Sequence, residues 1–206
     1  MKNYWFYFLL ISIGLAGQGA VLLKTSEKKR YAIVKPSRLY LQGTTNVNTF
    51  TCDCEDQFAT QEVDVEGNGG IARFRNTRLS MTTRKFNCKN AKMDRDMHKA
   101  LKADQYPKIS MELVETRQNP DHLKGSAWFD VDAKVKITIT GVTKEKHIKA
   151  QARKVSQNQF ALKGSETVQM TEFGIDPPEA MFGLIKVNDP ITFHFDLTIQ
   201  LENILN

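Results

Sequence analysis

The sequence predicts an all-β protein, a closed antiparallel barrel of eight strands with one amphipathic helix and one short helical turn. Three observations carry that reading. Alternation of apolar and polar residues recurs along the chain and is cleanest at the end, where Ile191, Phe193, Phe195, Leu197, Ile199 and Leu201 alternate with Thr192, His194, Asp196, Thr198, Gln200 and Glu202. Only Asn90–Leu101 carries a long helical pattern. No βαβ alternation, internal repeat or low-complexity linker interrupts the chain, so one domain is expected. A twelve-residue strand is ~40 Å long at about 3.3 Å per residue. Closure protects the edges of such strands, and eight of them leave room for a slender ligand.

In chain order, the first twenty residues read as a signal peptide rather than as fold. Lys2 is a short positive region, Trp5–Leu15 is apolar, and Ala16-Gly17-Gln18-Gly19-Ala20 is a small-residue stretch suited to cleavage. The apolar run is short for a membrane span, which needs ~20 residues; an uncleaved anchor is the alternative. Gln18 stands where a lipoprotein would need its cysteine. The expectation is therefore residues 1–20 as signal peptide and 21–206 as the domain, periplasmic or secreted and without a lipid anchor.

The formal charge is +6 and the only compact basic cluster is Lys28-Lys29-Arg30. No basic stripe interleaves with aromatics, which argues against nucleic acid as a partner; a solvated surface is the leading reading of the charge, and weak, transient contact with anionic headgroups is the alternative. Oligomeric state, a dimer included, is left open. Cys52, Cys54 and Cys88 are the three thiols. In an oxidising compartment they most simply give one disulfide plus one free thiol or an intermolecular bridge, and a bond from Cys52 or Cys54 to Cys88 would tie an early strand to the loop before the helix. Cys52-Asp53-Cys54 as a redox or soft-metal site is the competing reading, though residues two apart on a strand share a face in any case.

Leu39–Leu41 and Thr44–Phe50 read as short strands broken at Gly43. Phe58–Val65 is mixed, and Glu66–Gly70 is a turn cluster. Ile71–Phe74 and Thr77–Thr83 read as strands. In the helix, Asn90 is a good N-cap. Met93, Met97 and Leu101 form one stripe, and Tyr106-Pro107 stops it. Lys108–Thr116 and Ala127–Ile139 alternate as strands, and Gly141 can take the positive φ of a hairpin. Lys144–Val155 and Gln159–Val168 follow. Asp176–Gly183 has the grammar of one helical turn: capping Asp, Pro at the first position, Gly past the end. Val187–Pro190 reads as a turn before the last strand.

Enzyme signatures are missing: no G-x-S-x-G elbow, phosphate-binding glycine loop or H-E-x-x-H occurs. Asp94 and His98 are one helical turn apart, but two ligands do not make a metal site. No catalytic residue, metal or required cofactor is assigned. What remains is apolar. Phe74, Phe86, Phe129, Phe160, Phe193 and Phe195 fall on faces that should point inwards, and Met93, Met97, Leu101, Tyr106, Phe173, Met181 and Phe182 surround the candidate mouth. Singly each is ordinary core; together they would line an apolar cavity, and flexible methionines suit ligands of varying shape.

Three blocks resemble the YceI-like family, polyisoprenoid-binding, lipocalin-like barrels exported by bacteria. They are Met93–Leu101 with Tyr106-Pro107-Lys108-Ile109-Ser110-Met111, then Ile137–Lys144, then Met170–Ile175 continuing to Ile185-Lys186-Val187-Asn188-Asp189. They are similar to the family's Y-P-x-I-x-F, L-T-I-x-G-V-T-K, and T-D-F-G-I with G-x-I-K-V-G-D. Met111 replaces the usual Phe, Glu172 the usual Asp and Asn188 the usual Gly. The resemblance spans residues 31–201. It implies an eight-stranded lipocalin-like barrel whose pocket takes an isoprenoid-quinone-like or other long-chain lipid. The leading expectation is thus a non-enzymatic exported carrier, with the helix as lid. The alternatives are a filled barrel acting through its surface, and thiol redox work at Cys52 and Cys54.

Overall fold

A computed structural model describes residues 26–68 and 70–203, so the expected signal peptide lies outside the described residues. The elements in order are β1 (Ser26–Thr45), β2 (Thr49–Cys54), β3 (Gln61–Asn68), β4 (Ile71–Arg75), β5 (Arg78–Thr82), β6 (Phe86–Asn87), α1 (Ala91–Ala100), β7 (Lys108–Arg117), β8 (Phe129–Ile139), β9 (Val142–Ser156), β10 (Gln159–Gln169), β11 (Glu179–Ala180) and β12 (Ile185–Asn203). All pairings are antiparallel. The order β1–β12–β10–β9–β8–β7–β4–β3 returns to β1, a closed ring of eight strands. Closure arises because β1 is long enough to serve two neighbours on one edge: Ser26–Tyr31 pair with β3 and Tyr40–Thr44 with β2.

β8 shows why the ring has an inside. Phe129, Val131, Ala133, Val135, Ile137 and Ile139 are buried while Asp130, Asp132 and Lys136 are exposed, the period-2 pattern made physical. The interior divides into two buried clusters. The larger, around Leu41, Ile109, Ile137, Phe173 and Phe193, occupies the end near α1. The smaller, Phe129, Val131 and Ala152, lies at the other end of β8.

The ring is least regular at the helix end. There β7 pairs with β5 and β1 with β2, but β5 and the β2–β6 pair are joined by the 3-10 turn Thr83–Lys85 instead of a ladder. Opposite, β9 and β10 pair only as far as Ala150 and Gly164. The turn Met170–Phe173 lies where they part: fully buried Phe173 has its carbonyl held by the Thr140 hydroxyl, and Lys146 reaches Glu172 at 2.8 Å. Thr140 and Gly141 both take positive φ (48° and 79°), joining β8 to β9 in the hairpin geometry expected of Gly141.

Several boundaries differ from the sequence expectation. β1 is unbroken at Gly43, and the turn comes at Asn46–Asn48, where Thr45 Oγ1 accepts from the Val47 and Asn48 amides. Gly43 is a close-approach glycine, not a breaker: a Cβ there would lie 2.4 Å from Phe50 Cζ. β3 extends to Asn68, leaving Gly70 (φ 87°) to turn the chain. β12 starts at Ile185, so Val187–Pro190 belongs to a strand; the register slips between Thr45↔Val187 and Gly43↔Ile191, and Pro190 falls in that irregularity. The helical turn expected at Asp176–Gly183 is absent. Glu179–Ala180 pair instead with Ile185–Lys186, and Met181, Phe182 and Gly183 all have positive φ, which no right-handed helix can contain. Here ladder pairing to β12 overrides a local helical signal.

Candidate functional site

α1 forms as its sequence reads. The Asn90 side chain accepts from the Lys92 and Met93 amides, and Lys92 pairs with Asp96 at 2.7 Å one turn on. No residue of α1 is fully buried, although Met97, Ala100 and Leu101 pack on the core. The helix therefore covers the ring end without filling it. Its start is tied down twice: Cys88 is disulfide-bonded to Cys52 of β2, and Asp94 accepts from the Cys88 amide at 2.8 Å. Its end is tied where Thr83, wholly buried, donates its hydroxyl to Tyr106 O and its amide to Pro107 O.

Beneath α1 is a cavity of about 330 Å³ that opens to solvent. Met93, Met97 and Leu101 form its helix side, Leu41, Ile109, Ile139, Ile191 and Phe193 its floor, and Phe173, Ile175, Pro178, Ala180 and Met181 the remaining wall. Polar side chains stand at the rim: Thr45, Asn48, Asn90, Lys92, Asp96 and Glu179. The rim charges are paired, Lys92 with Asp96 and Lys186 with Glu179 at 3.0 Å. An apolar interior under a polar lip can desolvate a hydrocarbon chain and leave a polar head in water.

Of the candidate site residues, Met93, Met97, Leu101, Phe173, Met181 and Phe193 meet around this cavity. The others lie elsewhere. Phe86 is fully packed in the core; Phe129 belongs to the far cluster; Phe74 and Phe160 are half-buried on β4 and β10. Phe195 is half-buried over Gly164, where a Cβ would come within 2.6 Å of its ring. Tyr106 lies against Gly141, 2.9 Å from where a Cβ would stand, and so braces the hairpin beside the cavity. Phe182 projects from the mouth, fully exposed. Sequence reasoning missed much of the lining, including Leu41, Phe50, Ile109, Ile139, Val168 and Ile191. Their inward parity on the strands was available; which end of each strand meets the helix was not.

Cys54 is the remaining thiol, half-buried on the same strand as Cys52. Burial pushes its pKa up to about 11, so at neutral pH it is a thiol and a poor nucleophile. Asp94 is occupied at the helix start, His98 Nε2 is buried without a hydrogen-bond partner, and among the described residues no three His, Cys, Asp or Glu side chains converge as a metal set. His194 stacks on Tyr40 with ring centroids 4.7 Å apart, on the face of β12 opposite Phe193 and Phe195. Among the described residues no helix is long and apolar enough to cross a membrane.

Residues 35–199 match the family model described as YceI-like domain. Among solved structures, the chain resembles a polyisoprenoid binding domain from Saccharophagus degradans implicated in plant cell wall breakdown, with 10% identity, TM-score 0.58, and coverage of 84% of this chain and 98% of that one. It resembles BcnA of Burkholderia cenocepacia with 12% identity, TM-score 0.56, and 79% and 95% coverage. A Campylobacter jejuni YCEI protein is 14% identical, with TM-score 0.52 and 79% and 85% coverage. At these identities the likeness is one of fold. No curated protein sequence matches the chain.

Proposed function

The chain belongs to the YceI-like domain family, and from that premise we propose that it is an exported, non-catalytic protein that holds a long-chain amphiphile, an isoprenoid or isoprenoid-quinone-like lipid, under α1. The observation that carries this reading is the cavity of about 330 Å³ with apolar walls and a polar rim. That volume is at the lower end of the roughly 300–1,000 Å³ typical of ligand pockets. It suits a segment of chain inserted tail-first, its head at the Asn48, Asn90 and Lys92 edge. Binding would be driven by ~25 cal/mol per Å² of apolar area removed from water, less ordering costs. The polyisoprenoid binding of the Saccharophagus domain supports the same ligand class.

The disulfide Cys52–Cys88 fits the oxidising compartment that a cleaved signal peptide would deliver the protein to. A filled barrel acting only through its surface is disfavoured by the cavity. Redox work at Cys52 and Cys54 is disfavoured because Cys52 is bonded to Cys88 and the Cys54 thiol is held protonated. Native mass spectrometry with solvent extraction tests the carriage reading. A co-purifying lipid of discrete mass is the expected result; a protein repeatedly free of lipid, even from a lipid-rich host, overturns it.

A further inference from the structure

Five large hydrophobic side chains stand exposed among the described residues, and four of them share one place. Val47 (65% exposed) is at the β1–β2 turn, and Met181 (60%), fully exposed Phe182 and Leu184 (71%) form the β11–β12 turn. The fifth, Val155, is in the β9–β10 hairpin at the other end of the ring. Chance scatter does not place four such residues on two touching loops.

The two tips are bolted together. Asn46 Nδ2 donates to Leu184 O and Asn46 Oδ1 accepts from the Lys186 amide, both at 2.9 Å, and the Asn46 amide donates to Lys186 O at 3.1 Å. Asn188 Nδ2 reaches Thr44 Oγ1 at 2.8 Å. Met181 (φ 52°) and Phe182 (φ 56°) are held in the left-handed region, unusual for bulky side chains. Strain and exposure are thus maintained by a built hydrogen-bond frame, at the lip of the cavity, with Met181 part of both the tip and the cavity wall.

We propose that these paired tips dock the cavity mouth onto a lipid bilayer, Val47, Phe182 and Leu184 entering the headgroup–acyl boundary while Met181 joins membrane to cavity. Area selects this occupant. Four such side chains offer roughly 500 Å², below the about 800 Å² per partner of a stable protein complex. Projecting tips can, however, pass between headgroups where a flat protein face would leave them unburied. Charge permits it: Lys186–Glu179 and Lys92–Asp96 are paired beside the tips, and the whole chain is +6. The proposal rests on the carriage reading for its purpose, since a water-insoluble chain would then enter the cavity without crossing water.

The test uses the protein from Val21 onwards, as the proposed export leaves it, carrying either Phe182→Trp or Val155→Trp, with vesicles of phosphatidylcholine and phosphatidylglycerol, some with brominated acyl chains. Fluorescence above that of the parent should be quenched several-fold more at position 182 than at 155. Equal quenching, or none at 182, overturns the docking. Phe182→Ser with Leu184→Ser should lower co-sedimentation with the same vesicles about tenfold and leave the melting temperature unchanged. A parent dimer that Phe182→Ser dissolves, without quenching at 182, would assign the tips to a second copy and overturn the proposal. Extracted lipid in the parent without quenching at 182 removes the docking and leaves carriage standing. Quenching without any extracted lipid removes carriage and leaves the docking.

Discussion

Met97 touches the core on one side and the cavity on the other, so a charge there faces whatever fills the cavity. Met97→Asp should weaken lipid retention about tenfold or more, since even partial burial of a carboxylate against hydrocarbon exceeds the ~1.4 kcal/mol that factor needs. The melting temperature should fall much less, because α1 buries no residue fully. Paired extraction and thermal melts check this; a large loss of stability with lipid retained would make Met97 ordinary core. Cys54 offers a second residue-scale test. Burial raises its pKa from the ordinary thiol value of 9.0 to about 11, so folding favours the protonated thiol. The resulting stability is full below about pH 9 and is lost as pH climbs towards 11. Urea midpoints across that window should decline, and Cys54→Ala should flatten the decline. Alkylation of the folded protein at pH 8 should be slow.

Elements explain what holds the helix over the cavity. α1 hangs between the Cys52–Cys88 bond and the Thr83–Tyr106–Pro107 hydrogen bonds. Reducing the disulfide should cost about 2–4 kcal/mol of stability. Amide exchange should rise first in Ala91–Ala100, and lipid should leave faster; unchanged exchange in α1 would show that the tether does not hold the lid. Gly43 couples β1 to the cavity. Gly43→Ala sets a methyl against Phe50 and Ile191, both on the cavity wall. Overpacking of that kind costs about 1–3 kcal/mol, and the Phe50 ring can yield only by moving. Retained lipid should drop along with the melting temperature. The helix was legible because Asn90, the Met93–Met97–Leu101 stripe and Tyr106-Pro107 are local signals that agree. The Asp176–Gly183 turn was misread because its local helical signal is overridden by the pairing of Glu179–Ala180 with Ile185–Lys186, across a turn that holds Met181, Phe182 and Gly183 at positive φ.

At the scale of the molecule, eight strands close because one twenty-residue strand, β1, is shared between β12, β3 and β2. Closure leaves the helix end irregular, with β5 and β6 joined only by a turn and β9 parted from β10, and the cavity is at that end. A bound lipid should raise the melting temperature in proportion to RT ln(1 + [L]/Kd), so delipidated protein should melt lower and recover on re-addition of a polyprenyl lipid. On the proposed export, N-terminal sequencing of the protein should begin near Val21; a start at Met1 would favour the uncleaved anchor.

Alternation, one helical stripe and three cysteines determined the fold class, the places of most strands along the chain, the helix with its cap, and a sulfur bridge ending at Cys88. Those properties depend on near neighbours and on period, which a linear sequence carries intact. Only the tertiary structure decided that Cys52 and not Cys54 bonds Cys88, that Phe86, Tyr106 and Phe129 do not line the cavity, and that aliphatic residues such as Leu41 and Ile139 form its floor. Each of those outcomes depends on strand register and on which end of a strand meets the helix. Register comes from long-range pairings such as Gly43↔Ile191, separated by most of the chain.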